Sequence, residues 1–237
     1  MKKCAVFILL LYSIRGNGQW YAGVEAGGTR DYLITTTGGE AFTSYHGATG
    51  FLVDIPVQYR VNDWLAFESG AGFEQKNYMM SRTGFFQGVG QKNSNGYLQL
   101  PLLGDCSFGG KKIRGFVKAG VYGAYWLTGR IKGNSPNILN TTDTTTLNPS
   151  GVLNVDNGYT YNQRYAFSSK DNRIELGWLA GAGIRYQVNG LLCLYLEGRY
   201  AGAFTDQQKK YQLNQTPRYN STYGIGIGSL FNLKRIL

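Results

Sequence analysis

Residues Arg173–Tyr186 read R-I-E-L-G-W-L-A-G-A-G-I-R-Y, and their alternation decides the fold. Side chains point to opposite faces along a strand. Ile174, Leu176, Trp178, Ala180, Ala182, Ile184 and Tyr186 therefore share one face, and Glu175, Gly177, Leu179, Gly181, Gly183 and Arg185 share the other. The second face combines two ionisable residues with three glycines, too sparse for a solvated surface. A strand that turns its apolar side to lipid and its charged, glycine-rich side to a narrow lumen has this composition.

The same alternation recurs over about 20–32, 47–60, 65–75, 97–108, 113–131, 192–204 and 222–233. The chain is thus expected to be all-β, an eight-stranded antiparallel transmembrane up-and-down β-barrel. Inward positions include Glu25, Asp54, Arg60, Glu68, Gly70, Gly72, Glu74, Asp105, Lys118, Tyr122, Trp126, Tyr195, Glu197, Arg199 and Gly224, Gly226 and Gly228. Pro56 lies on the inward set of its strand and supplies no ladder N–H, so a local bulge is expected there. A soluble eight-stranded barrel of the lipocalin type is the alternative and would reverse the pattern, apolar inside and polar outside.

The connections alternate in length. Val61-Asn62-Asp63, Gly109-Gly110-Lys111 and Val188-Asn189-Gly190 are short turns, and Asn189-Gly190 is a strong hairpin signal. The connections at about 33–46, 76–96, 132–172 and 205–221 are long, which matches short periplasmic turns and long extracellular loops. Within the third, Val152–Val155, Asp156-Asn-Gly158 and Tyr159–Tyr161 read as a protruding hairpin. Counting that hairpin into the wall gives ten strands, but it lacks a lipid face long enough to span.

Composition agrees. The 237 residues include 34 Gly, with 14% aromatic and only 16% charged residues. Mean hydropathy is −0.26, because only every second residue of such a strand is apolar. Ala5–Tyr12 is the one continuous apolar run. It follows Lys2 and Lys3 and is too short for a spanning helix, so residues 1–18 read as a secretory signal and 19–237 as the barrel domain. A buried N-terminal strand is the alternative. Cys4 precedes the apolar run, so it is no lipoprotein anchor. Cys106 and Cys193 fall on strands placed apart and suggest neither a disulfide nor a metal site. The formal charge of +10 is scattered over loops and strand ends. Anionic lipopolysaccharide and outer-membrane lipids are the expected partners, and nucleic acid is not.

An eight-stranded barrel has an interior just wide enough for side chains. Buried charges there need partners, so Glu25, Asp54, Arg60, Glu68, Glu74, Lys118, Glu175, Arg185, Glu197 and Arg199 are expected to pair and plug the lumen. Inward glycines make room for Tyr122, Trp126 and Tyr195. A narrow pore is the alternative. Trp20, Trp64, Trp178, Tyr59, Tyr186 and Phe231 sit near strand ends, as aromatic girdles do. Lys76, Arg82, Lys92, Arg130, Lys132, Arg164, Lys170, Arg173, Lys209, Lys210 and Arg218 read as loop bases, several of them available to lipopolysaccharide phosphates at the outer rim; an ordinary solvated loop surface is the equal alternative. The single histidine, His46, lies two residues from Ser44, with Asp31 and Glu40 in the same loop. Some small outer-membrane barrels use such a pair to modify lipids, but spacing alone gives no nucleophile–base–orienter arrangement. No catalytic residue, metal site or cofactor is expected. Gly224-Ile-Gly-Ile-Gly228 alternates within a strand and opens no helix, so it is no nucleotide motif.

Three stretches carry a family likeness: Tyr97–Leu103 (Y-L-Q-L-P-L-L), Gly115–Gly123 (G-F-V-K-A-G-V-Y-G), and Phe51–Arg60 with the Asn62-Asp63 turn and Leu65–Gly70. On these the chain resembles the outer-membrane β-barrel domain family common in Bacteroidota, which includes the PorT-like proteins. The resemblance implies an eight-stranded barrel in a Gram-negative outer membrane, no cofactor and no known catalytic residues. PorT-like members are tied to secretion and gliding machinery, but no motif here carries that role over. The reading is a structural or binding protein acting through its extracellular loops. A component of a secretion or surface-assembly machine with envelope partners is the alternative, followed by a narrow channel and a lipid-modifying rim enzyme.

Overall fold

The computed structural model describes residues 18–35, 42–84, 88–135, 159–213 and 215–235. The signal-like segment, apart from Gly18, and the Val152–Val155 arm of the expected hairpin lie outside them. Among the described residues nine strands form: β1 (Gln19–Thr35), β2 (Thr43–Arg60), β3 (Leu65–Arg82), β4 (Gly90–Gly109), β5 (Ile113–Ser135), β6 (Tyr159–Arg164), β7 (Ile174–Gln187), β8 (Leu192–Ala203) and β9 (Arg218–Asn232). All belong to one antiparallel sheet. Followed from β1 through β2, β3, β4, β5, β7, β8 and β9, the pairings return to β1, so the sheet is a ring.

The strand expected least is β6. It pairs only with the upper part of β5, from Ser135↔Tyr159 to Arg130↔Arg164, above the stretch that pairs with β7. Tyr159–Tyr161 is thus extended as expected, but its partner is β5. The hairpin of β3 and β4 is also longer than the sequence suggested. Pairing continues to Ser81↔Gly90, so most of the expected 76–96 loop is strand.

The two faces follow the alternation. Val24, Ile55, Phe67, Leu100, Val121, Leu196 and Ile227 are exposed on the outer face, whereas Leu52, Leu103, Leu179 and Leu230 are buried inside. Leu102 is 63% exposed and Leu52 0%. Such a continuous apolar band far exceeds what a water-soluble monomer presents, and the lipocalin-type arrangement is the reverse of what is seen. On the outer face Tyr32, Tyr223, Tyr200 and Trp178 form an arc across β1, β9, β8 and β7, with successive ring centroids 6.1, 4.8 and 5.1 Å apart. Near the short turns Trp20 packs on Tyr59 at 4.9 Å, and Trp64 and Tyr186 are exposed.

The short turns are built by side chains as well as backbone. Asn62 Oδ1 accepts from the N–H of Trp64 and Leu65, and Asn189 Oδ1 accepts from Leu191 and Leu192. The Asn189-Gly190 turn therefore works through an asparagine side chain. Neither residue takes the positive φ of a two-residue hairpin. Gly109 does, at 116°, where a side chain would be strained.

Proline interrupts the ladder twice. Pairing between β1 and β2 lapses from Ala22↔Val57 to Glu25↔Asp54, opposite Pro56, and between β3 and β4 from Ser69↔Leu102 to Gly72↔Gln99, opposite Pro101. Each proline lacks the N–H the neighbour needs. Ser69 compensates in part, its hydroxyl donating to the Pro101 carbonyl at 2.9 Å. The bulge expected at Pro56 is absent, since β2–β3 register runs through Pro56↔Gly70. The shift occurs higher, between Gly47 and Leu52. A second shift leaves Leu127 unpaired between Gly96↔Thr128 and Tyr97↔Trp126. It lets Tyr97 and Trp126 face each other inside the ring.

Candidate functional site

Inward side chains fill the ring in successive levels. Next to the short turns, Arg185 of β7 reaches across to Asp105 of β4, with Nη1 to Oδ1 at 2.9 Å and Nη2 against Oδ2. The same guanidinium donates to Ser107 Oγ at 2.7 Å and lies 4.0 Å over the Phe116 ring. Gln58 links this level to the next, donating to Asp105 at 3.3 Å and Glu68 at 3.4 Å. Arg60 meets Gln58 and the Tyr21 ring, at 3.3 and 4.2 Å, in place of the carboxylate the sequence suggested.

One level up, Lys118 of β5 bridges Glu68 of β3 and Glu197 of β8, both at 2.7 Å. Arg199 then pairs with Asp54 at 2.6 Å and Glu25 at 3.6 Å, and the Tyr195 hydroxyl donates to Glu25 at 2.9 Å. Higher still, Lys76 pairs with Glu175 at 2.6 Å and Glu74 at 3.6 Å. Tyr122 donates to Glu175 at 2.8 Å, and Asn220 donates to Glu175 and to the Tyr97 hydroxyl. Thr222 donates to Asp31. Glycines open the space these side chains occupy. A Cβ on Gly228 would lie 2.3 Å from the Tyr195 ring, and one on Gly177 2.6 Å from Tyr122. Beside Glu25, Asp54, Lys118 and Arg199 a cavity of about 20 Å³ remains, room for about one water.

The sequence placed Glu25, Asp54, Glu68, Lys118, Glu175, Arg185, Glu197 and Arg199 in this interior, and there they lie. It missed Lys76, assigned to a loop but fully buried on β3, and it left Asp105 and Asp31 out of the pairing set. Parity carried the signal for Lys76, because 68, 70, 72, 74 and 76 share one face. Asp31 is likewise turned inward, away from any role beside His46. The Ser44 hydroxyl and His46 Nε2 are 3.1 Å apart and exposed, and Glu40 lies outside the described residues.

The long-loop end is covered by two segments. Residues 165–173 and 204–213 zip together through Asn172 N–H to Gln207 O at 2.9 Å and Lys209 N–H to Lys170 O at 2.8 Å. Aromatic rings stack beneath them. Trp126 lies between Tyr97 at 5.8 Å and Tyr165 at 5.2 Å, with Phe167 edge-on at 5.0 Å. Arg173, one of the bases read as lying in the loops, donates to the Trp126 carbonyl at 3.0 Å and covers Phe167 at 4.2 Å. Asp171 gathers the segment, accepting from Tyr165 OH at 2.7 Å and Ser168 N–H at 2.6 Å. Burial, then the Asp171 carboxylate, push the Tyr165 phenol well above its ordinary range, so it stays a donor. Below this cover lies a polar pocket of about 90 Å³.

Among the described residues no group of His, Cys, Asp and Glu is arranged to hold a metal ion. No described helix is long and apolar enough to cross a membrane, a criterion that does not bear on strands. Residues 15–209 match the family model for the outer membrane protein beta-barrel domain. Among solved structures, the outer membrane protein OprG from Pseudomonas aeruginosa is 13% identical, over 90% of this chain and 96% of that one, at a TM-score of 0.48. Neisserial surface protein A is 12% identical over 92% and 99%, at 0.45. Ail, the attachment invasion locus protein of Yersinia pestis, is 10% identical over 90% and 99%, at 0.40. No curated protein matches the chain.

Proposed function

This chain belongs to the outer membrane protein beta-barrel domain family and resides in the outer membrane, and from that premise we propose that it is a closed eight-strand barrel that binds through its long-loop end, without catalysis or solute conduction. In this reading β6 is an extension of β5 outside the lipid-crossing ring. The observation that carries the proposal is the interior: ion pairs cross it from β3 to β7 and from β8 to β2, under a mouth covered by stacked rings. A solute path needs those pairs broken, and a buried ion without its partner is strongly unfavourable. The dimensions agree. Tyr223 and Phe231 bound the outward face of β9 at about 3.3 Å per residue, or about 26 Å along the strand. At a tilt of 35–45° this is about 20 Å of depth, close to the apolar band of outer-membrane barrels.

Arg30, Arg130, Lys170 and Lys210 are exposed at the long-loop end. They suit lipopolysaccharide phosphates, which a guanidinium or ammonium meets as a charge-assisted donor. The test is planar-bilayer recording of the purified full chain, paired with a pull-down from intact envelopes that analyses bound lipid and protein. Absence of discrete openings, with lipopolysaccharide or a surface partner retained, is expected. Reproducible single-channel steps would overturn the closed-interior reading. Co-purifying periplasmic proteins would favour the secretion or surface-assembly role instead.

A further inference from the structure

The pocket beneath the mouth cover has a composition that selects a chemistry. Its wall carries the carboxamides of Gln91, Asn93, Asn95, Gln207 and Gln208, with Tyr165 and Trp126 above. A carboxamide both donates and accepts, as a hydroxyl does. Several of these groups are already held in place. Gln91 donates to Asn93 at 2.8 Å and accepts from Tyr161 at 3.0 Å, and Gln207 donates to Asn220 at 2.8 Å and to the Tyr97 hydroxyl at 3.2 Å. Asn95 differs. It is only 3% exposed, and its Nδ2 has no hydrogen-bond partner in the structure. A buried donor left unsatisfied is costly, and native structures keep few of them.

The remaining features narrow the ligand. Asp171 and Arg218 both line the pocket, so its two formal charges are of opposite sign and the wall as a whole selects neither a cation nor an anion. Both faces of Trp126 are covered by Tyr97 and Tyr165, so no ring face is offered to a nucleobase, which binds by stacking. The volume, about 90 Å³, holds about six waters at about 15 Å³ of cavity each, which as liquid at about 30 Å³ per molecule would fill about 180 Å³. That is the room of one six-membered sugar ring and too little for two.

We propose that this pocket binds a neutral, hydroxyl-rich group, the terminal monosaccharide of a glycan, with Asn95 Nδ2 donating to a ring hydroxyl and Asn93 and Gln208 completing the contacts. The proposal rests on the binding role inferred above and names its ligand class.

Binding is read from side-chain amide resonances of Asn and Gln in the full chain, reconstituted in nanodiscs. One arm titrates D-glucose, D-galactose and N-acetyl-D-glucosamine. A second compares lipopolysaccharide with lipid A stripped of its sugars. Saturable shifts at Asn95 and Asn93 are expected, with a dissociation constant on the order of 1 mM for a free sugar of about a dozen heavy atoms. Asn95→Leu is expected to weaken binding about tenfold, the effect of one lost hydrogen bond. Gln208→Ala, on the surface side of the pocket, tests the same site without touching the interior. A response to free sugar alone assigns a soluble or partner-borne glycan, and a response to lipopolysaccharide but not to lipid A assigns the membrane's own sugars. No saturable shift with any sugar at about a hundredfold that concentration, or equal affinity in both variants, overturns the proposal. Because conductance is measured separately, a silent pocket in a non-conducting barrel refutes the sugar site and leaves the closed-barrel reading standing.

Discussion

Replacing Lys118 by Met tests the interior at its most connected point. Lys118 is 4% exposed and lies 2.7 Å from both Glu68 and Glu197. Methionine fills the same stem volume and removes only the charge and its hydrogen bonds. Breaking a buried pair by deleting one partner typically costs about 3–5 kcal/mol. Two carboxylates lose their cation here, but Glu68 keeps the Gln58 amide at 3.4 Å, which softens the loss. The expected destabilisation is about 4 kcal/mol, close to a thousandfold in the folding equilibrium. Urea unfolding of the protein in lipid vesicles, followed by tryptophan fluorescence and by the gel mobility of the folded form, measures it. The control is Lys118→Met combined with Glu68→Gln and Glu197→Gln. A neutral, well-packed replacement of a buried ion group is often close to neutral, so the triple variant is expected within about 1 kcal/mol of the parent. A single variant that loses under about 1 kcal/mol, or a triple variant as unstable as the single, refutes the account of the interior.

Other consequences follow from the same geometry. Gly228→Val places a methyl-bearing carbon against Tyr195, whose ring is 2.3 Å from the new Cβ; with the Tyr195–Glu25 hydrogen bond displaced, a loss of about 2–4 kcal/mol in the same unfolding assay is expected. Tyr165→Ala bares one face of Trp126 and frees Asp171, so amide exchange should quicken at Asp171 and Asn172 while that of Tyr97 stays slow; unchanged exchange throughout would show that the ring stack does not hold the cover. Replacing Ser44 and His46 together by Ala should leave the lipid A composition of the membrane unchanged. A shift in lipid A acylation or headgroup would instead assign chemistry to the 3.1 Å Ser44–His46 pair.

The wall of the ring was legible because period-two alternation is strict wherever one face must meet an apolar medium. From Glu175 to Arg185 every second residue is buried or half-buried and the others are mostly exposed. Where neither face is obliged to be apolar, the signal fades. The β6 segment Y-T-Y-N-Q-R is exposed along most of its length and takes its place only from the edge of β5. The β3–β4 extension is a similar case, since Ser, Asn, Lys and Gln resemble loop composition although Lys76 keeps the inward parity of Glu74. The mouth pocket was not legible at all. Its amides come from β4 and from a segment more than a hundred residues later, brought together by the pairing of Asn172 with Gln207. Tyr165 and Phe167, two aromatics at alternate positions in a polar stretch, were the one local sign of a covered mouth.

The claim beneath all of this is that leucine and isoleucine side chains sort by parity between lipid and lumen. Methyl-labelled protein in bilayer nanodiscs, probed for cross-relaxation from lipid acyl protons, reads that sorting without altering a residue. Methyls of Ile55, Leu100, Leu102, Leu196, Ile225 and Ile227 should receive magnetisation from the acyl chains, while those of Leu52, Leu103, Leu179 and Leu230 should not. Acyl contacts to the second group, or their absence from the first, would contradict the account.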